Sequence, residues 1–202
     1  MIKSWRMRVA GLALMLGMLT ACAAQPPVPQ DRYYRLQAAV ATAPMGTPAL
    51  PGTLEVERFS ADGLTAGRPI VYMQSDNPNQ LLEYHYHFWT QPPTVMLRDE
   101  LVTYLRGSNV ANNVVTPEMR IPSGYVLTGR IRRLEQIVGS PNATAMELEI
   151  SLRRQADGKL LFLKSYRHET ATSSAGVGAA VDALNQSLNV VYADILADLK
   201  SR

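Results

Sequence analysis

The stretch at residues 143–154, "ATAMELEISLRR", alternates apolar and polar side chains along its length. Met146, Leu148, Ile150 and Leu152 fall on one side, and Glu147, Glu149, Ser151 and Arg153 on the other. A period of two is the pleat of a half-buried β-strand; on a helix the same side chains would be smeared around the circumference. Asp157 and Gly158 follow, a pair that tolerates the positive φ angles of a tight hairpin turn. "KLLFLKSYRHE" then supplies the returning strand. A long hairpin with one apolar face must be covered on that face. The end of the chain offers the cover: Val181, Leu184, Leu188, Val191, Ile195 and Leu199 step by three or four, the stripe of an amphipathic helix.

The rest of the chain adds to this frame. "DRYYRLQ" predicts a first strand holding Tyr33 and Tyr34, followed by a Pro/Gly/Ala-rich connection to about Gly52. "TLEVERFS" sets Leu54, Val56 and Arg58 against Glu55, Glu57 and Phe59, a strand pattern. "RPIVYMQS" and "LLEYHYHFW" read as hairpin partners across the turn-forming "SDNPNQ". Pro92 and Pro93 suit the first turn of a helix, where the amides they lack would be unpaired anyway. That helix carries Leu97, Leu101, Tyr104 and Leu105 on one face, runs to about Arg106 and stops at Gly107. "SGYVLTGRIRRLEQIV" places Tyr125, Leu127 and Ile131 opposite Thr128, Arg130 and Arg132. The small-residue stretch "TATSSAGVGAA" precedes the final helix. These elements predict an α+β fold, a mostly antiparallel sheet with two amphipathic helices packed on one face.

The only cysteine, Cys22, closes a different kind of segment. Lys3, Arg6 and Arg8 precede an apolar run at residues 9–19, too short for a bilayer span of roughly 20 residues but right for a secretory signal. Leu19-Thr20-Ala21-Cys22 resembles the lipobox of bacterial lipoproteins. The resemblance implies a diacylglyceryl group on the Cys22 sulfur, cleavage before it, and acylation of the new amine with a fatty acid such as palmitate. With no second cysteine, no intramolecular disulfide is possible. Two or more acyl chains hold a protein stably on a membrane, where one holds only marginally. The expected organisation is a signal peptide at residues 1–21, a lipidated cysteine with a Pro-rich tether at 22–30, and one domain at 31–202. Ala23 stands where an aspartate would mark retention at the inner membrane in enterobacterial lipoproteins, so outer-membrane sorting is expected.

Charge follows the same division. Three of the 20 basic residues lie before Cys22, and the remainder equal the 17 acidic residues, all of which lie after it. A neutral mature chain does not recommend nucleic acid as a partner.

Motifs for chemistry are sparse. His85 and His87 lie two apart in "YHYHFW", but a zinc site needs three or four ligands and only His168 remains as a further imidazole. Neither a metal site nor a cofactor beyond the covalent lipid is expected. "GVGAAV" at residues 176–181 lacks the third glycine and the βαβ setting of a dinucleotide fingerprint. Arg130, Arg132 and Arg133 could meet anionic headgroups, yet Glu147 and Glu149 sit at matching positions on the next strand, and cross-strand ion pairs are the expectation. No nucleophile elbow, P-loop or H-E-x-x-H pattern occurs, and no catalytic residues are assigned. Aromatic residues concentrate at Tyr33-Tyr34 and between Tyr84 and Trp89. Regular alternation would set His85, His87 and Trp89 opposite Tyr84, Tyr86 and Phe88. One outward-facing set among Tyr33, Tyr34, His85, His87 and Trp89 is expected at a protein contact, since aromatic side chains dominate interface energetics; the alternative is that Trp89 packs under the first helix.

"YYRL" soon after a lipidated cysteine, "LEVERFSADGLTAGRPIVYM", "YHYHFWTQPPTVMLRDELVTYL", "YVLTGRIRRLE" and "VDALNQSLNVVYADILADL" occur in this order. Together they resemble the ABC-type transport auxiliary lipoproteins, the PqiC-like family. The resemblance implies a non-enzymatic, periplasm-facing outer-membrane component that works with an ABC ATPase, a permease and an MCE-domain (MlaD-like) protein to move lipids or other hydrophobic molecules between membranes. It also implies a homo-oligomer. Two readings from other classes stay open, a structural lipoprotein assisting an outer-membrane β-barrel and a lipid-anchored hydrolase.

Overall fold

The computed structural model describes residues 28–39 and 43–202. In chain order they form β1 (Arg32–Tyr34), β2 (Leu50–Val56), β3 (Ser60–Ala61), β4 (Pro69–Gln74), β5 (Asn77–Trp89), α1 (Pro93–Ser108), β6 (Ala111–Val115), β7 (Tyr125–Val138), β8 (Ala143–Arg154), β9 (Leu160–Ala171) and α2 (Val177–Lys200). The signal peptide, the lipobox and Cys22 lie outside the described residues, as does the tether up to Pro27. Asp31–Arg202 is one compact unit.

The sheet is organised around β7. One edge of β7 pairs with β8 along nearly its whole length. The other edge is shared in succession by β2 at Tyr125, β3 at Arg130 and β4 at Glu135, all parallel to it. Outside these, β6 pairs with β2, β5 with β4, β1 with β5, and β9 with β8.

The α+β class is as expected, but "mostly antiparallel" needs correction. Among the described residues, five of the eight strand pairings are parallel, although the longest two, β7 with β8 and β8 with β9, are antiparallel. Parallel partners join through crossovers rather than tight turns, so they leave no local signal in the sequence.

The face of the sheet bearing Leu127, Ile131, Met146, Leu148, Ile150 and Leu152 is fully buried beneath both helices. The inward stripe of α1 is Met96, Leu97, Leu101, Val102 and Leu105. That of α2 includes Val181, Leu184, Leu188, Val191, Ile195 and Leu199. The helices are tied by Tyr192, which has no exposed surface and donates its hydroxyl proton to the Leu97 carbonyl at 2.6 Å. Burial pushes the Tyr192 hydroxyl pKa well above its usual value, so it stays a donor.

Local expectations are revised at four places. α1 continues through Gly107 and ends instead at Asn109, which adopts the left-handed conformation at φ 55°. The alternation predicted for "TLEVERFS" stops with β2 at Val56, and it is Phe59, not Arg58, that is buried. β5 starts at Asn77, inside the expected turn. β6 was not anticipated, since "ANNVV" is short and half polar.

Phe59 explains one glycine. A Cβ on Gly129 of β7 would stand 2.5 Å from two atoms of the Phe59 ring, so the strand accepts that ring only where there is no side chain. Gly129→Ala is expected to displace Phe59 and to lower stability by about 1–3 kcal/mol in urea unfolding. An unchanged midpoint would show that the ring is free to move aside.

A further feature is a strap between the helices. After β1, Leu36 is buried beside Met96, and the following amides are met by side chains from both helices. Gln37 N–H donates to Asn185 Oδ1 at 2.9 Å, Ala38 N–H to Glu100 Oε2 at 2.9 Å, and Ala39 N–H to Asn189 Oδ1 at 2.7 Å. Asn185 and Asn189 are four apart on α2, hence on one face. They replace the backbone partners that an extended segment lacks outside a sheet.

Candidate interaction surface

β1 and the end of β5 bring the aromatic side chains together. The two strands run parallel, with Arg32 opposite His87, Tyr33 opposite Phe88 and Tyr34 opposite Trp89. The pairing is locked beyond the strands by Thr90 N–H donating to the Tyr34 carbonyl at 2.8 Å.

The faces are not those that simple alternation predicts. The register of β5 against β4 is irregular between Glu83 and Phe88: Pro69 and Val71 of β4 are two positions apart, whereas their partners are five apart. The extra residues reverse the alternation. Tyr84 contacts His87 edge-on at 5.5 Å between ring centroids, so these two share a side. Trp89, for which packing in the core is the alternative to an outward contact, is 1% exposed and belongs to the core. Tyr86, expected on the same face as Tyr84, is instead 42% exposed.

The five candidate residues therefore divide. Trp89, Tyr34 and His87 turn toward the core side. The Tyr34 hydroxyl and His87 Nδ1 are hydrogen-bonded at 2.8 Å, with the rings stacked at 5.6 Å. Burial, with a smaller push from Arg32, holds the His87 pKa below its usual value, so the neutral ring can accept the Tyr34 proton. Nearby, Tyr84 stacks on Tyr72 at 4.4 Å and donates to Gln136 Oε1 at 3.0 Å. The Gln136 amide in turn donates to the Ala175 carbonyl, so this fully buried glutamine is satisfied at both ends.

Tyr33 and His85 face solvent. Tyr33 is 56% exposed, lies 5.9 Å from Phe88 between centroids, and has the Arg68 guanidinium 5.5 Å above its ring. His85 is exposed beside Tyr86. Tyr33, His85 and Tyr86 are thus exposed aromatic side chains on the paired β1 and β5. The reversal that exposes Tyr86 depends on strand register and has no signal in the sequence around it.

Other polar groups hold the fold together. His168 Nδ1 lies 3.3 Å from the Ser187 hydroxyl, which is also bonded to Thr170, but Ser187 has no exposed surface. This network joins β9 to α2. Tyr166 donates to Asp198 at 2.7 Å, and Lys164 pairs with the same carboxylate at 2.7 Å. Among the described residues no three His, Cys, Asp or Glu side chains converge as a metal site would require. No helix among them is long and apolar enough to cross a membrane.

Two arginines of the cluster find carboxylates, though not the expected ones. Arg130 pairs with Asp62, and Arg133 with Glu135 and Glu169. Glu149 stands opposite Arg130 and Glu147 opposite Arg133 in the register, without direct ion pairs.

Comparison with known proteins places this architecture. The sequence model of one family, described as ABC-type transport auxiliary lipoprotein component, matches residues 34–196. A crystal structure of protein XCC0632 from Xanthomonas campestris is similar at a TM-score of 0.72 and 24% identity, covering 84% of this chain and 98% of that one. The crystal structure of an uncharacterized protein is similar at a TM-score of 0.66 and 21% identity, covering 85% of this chain and 99% of that one. At these identities the two structures share the fold. No curated protein is similar enough to count as a match.

Proposed function

The chain belongs to the ABC-type transport auxiliary lipoprotein component family, and from that premise we propose that it is the lipid-anchored docking part of an ABC transport system containing an MCE-domain (MlaD-like) protein. The observation that carries the reading is the extent of the family match, which runs from the last residue of β1 into the last turns of α2. In this reading the protein does no chemistry. Cys22, carrying diacylglyceryl and N-acyl groups, holds it at the periplasmic side of the outer membrane, and the ATPase and permease work from the inner membrane. Ala23 supports the outer-membrane assignment, and the apolar run before Cys22 supports export.

Tyr33, His85 and Tyr86 are the proposed contact with the MCE-domain protein or with another copy in a homo-oligomer. Exposed aromatic rings supply large, rigid contact area, and one of these carries an arginine above it. Capture of the MCE-domain protein by the tagged, membrane-extracted lipoprotein tests the proposal. Tyr33→Ala combined with Tyr86→Ala is expected to reduce capture, or the oligomer, at least tenfold with an unchanged melting transition. Undiminished capture and an unchanged oligomer would remove this surface from the proposal. Capture of an outer-membrane β-barrel, and no MCE-domain protein, would favour the assembly reading instead.

A further inference from the structure

The helix-free face of the sheet holds an open groove of about 640 Å³, within the range of small-molecule sites. Its apolar side is set by strand register. Met73 on β4 stands opposite Leu81 on β5 and Ile137 on β7, so three strands contribute one apolar row. Leu81 is 40% exposed in that row. The polar side of the groove is formed by Arg132, Arg133 and Arg167 with Glu135 and Glu169.

The guanidinium groups are not equivalent. Arg133 is committed: its Nε donates to Glu135 at 2.8 Å and its Nη1 to Glu169 at 3.1 Å. Glu135 is 4% exposed, and a carboxylate so buried needs its partner. Arg167 shares Glu169 at 2.6 Å. Arg132 has no ion pair among the described residues. It is the extra residue of a bulge, since the register of β7 on β8 slips between Ile131 and Arg133. Bulges re-aim side chains, and here the bulged residue supplies the uncommitted cation of the groove wall. Glu147, opposite both Arg133 and Arg167, adds a third carboxylate to the face. The formal charges therefore cancel, and long-range attraction of free anions is weak.

We propose that this groove binds a phospholipid with a single anionic headgroup, the phosphate on Arg132 and the acyl chain along Met73, Leu81 and Ile137. An uncommitted guanidinium beside an exposed apolar wall matches a phosphate joined to a hydrocarbon chain. Neither half suffices alone: the phosphate lacks a net field to draw it in, and the chain lacks an enclosed cavity. The proposal deepens the transport reading by naming a ligand class, and it rests on that reading only for the source of the lipid.

The test is calorimetric titration of the purified mature protein with three probes. These are lysophosphatidylglycerol below its micelle concentration, lysophosphatidylcholine with the same chain, and glycerol 3-phosphate. Lysophosphatidylglycerol is expected to bind, lysophosphatidylcholine at least tenfold more weakly, and glycerol 3-phosphate not measurably. Arg132→Ala and Leu81→Asn, both at solvent-exposed positions, are each expected to weaken lysophosphatidylglycerol about tenfold or more, with Arg132→Lys restoring part of the loss. Glycerol 3-phosphate binding as well as the lipid would reduce the site to a simple anion site and overturn the proposal. Equal binding of the two lipids, or no loss in either Arg132→Ala or Leu81→Asn, would also overturn it. The titration needs no partner, so a negative result leaves capture of the MCE-domain protein as a separate measurement of the transport reading.

Discussion

Trp89→Ala is expected to lower folding stability by about 3–5 kcal/mol, the usual cost of emptying a buried large aromatic site. A domain of ordinary stability holds about 5–15 kcal/mol, so the variant would lose a large share of it. The size of the effect follows from the position of the ring. Trp89 is 1% exposed, and it sits where β5 hands over to α1 with Tyr34 directly opposite on β1. Its backbone is held as well, with its N–H donating to the Arg68 carbonyl at 2.8 Å and its carbonyl accepting from Arg68 Nε at 3.1 Å. Removing the indole therefore opens a cavity in the core. Urea unfolding of the mature domain measures the loss, with Tyr33→Ala as the comparison. Tyr33 is one position away from the Trp89 partner but 56% exposed, so its truncation is expected to cost under about 1 kcal/mol. Equal effects in the two variants would contradict the inward placement of Trp89.

Cys22→Ala is expected to abolish lipid attachment, and with it anchoring at the outer membrane, altogether. Each buried methylene of an acyl chain contributes about 0.8 kcal/mol to membrane binding, so two or three long chains make attachment stable where one would be marginal. No other thiol exists to carry the diacylglyceryl group. The variant should accumulate as uncleaved precursor, retained by its apolar leader at the inner membrane. Labelling with radioactive palmitate, gel mobility and membrane fractionation read three consequences of the one change. A Cys22→Ala protein of mature size in the outer-membrane fraction would contradict the lipobox assignment, whatever the fold of the domain. The comparison variant is Cys22 retained with Trp89→Ala, which should still be labelled even if the domain is destabilised.

The elements that could be read from sequence are those whose pattern is written locally. Met146, Leu148, Ile150 and Leu152 declare a strand by alternation, Asp157-Gly158 declares its turn, and Leu184, Leu188, Val191, Ile195 and Leu199 declare a helix by their spacing. Each rests on a period of a few residues, and each is present in the structure at nearly the expected place. The pattern at Cys22 is likewise a local string. Partner choice between strands is not local. The parallel association of β2, β3 and β4 with one edge of β7 joins residues 64 to 71 positions apart, and hydrophobic alternation is the same whichever neighbour a strand has.

Which aromatic rings face outward is not written locally, for a sharper reason. A slip by an odd number of residues reverses every side chain beyond it, so a single irregularity in β5 was enough to bury Trp89 and expose Tyr86. The bulge at Arg132 did the same on β7, turning Leu134 inward in place of the preceding arginines and leaving one of them without a carboxylate. The sequence by itself determined the long strands β7, β8 and β9, the two helices, and which face of β8 is buried. Only the tertiary structure decided which aromatic rings reach solvent and which guanidinium is uncommitted. Those outcomes depend on register between strands, and register is chosen by the packing of the whole sheet against the two helices.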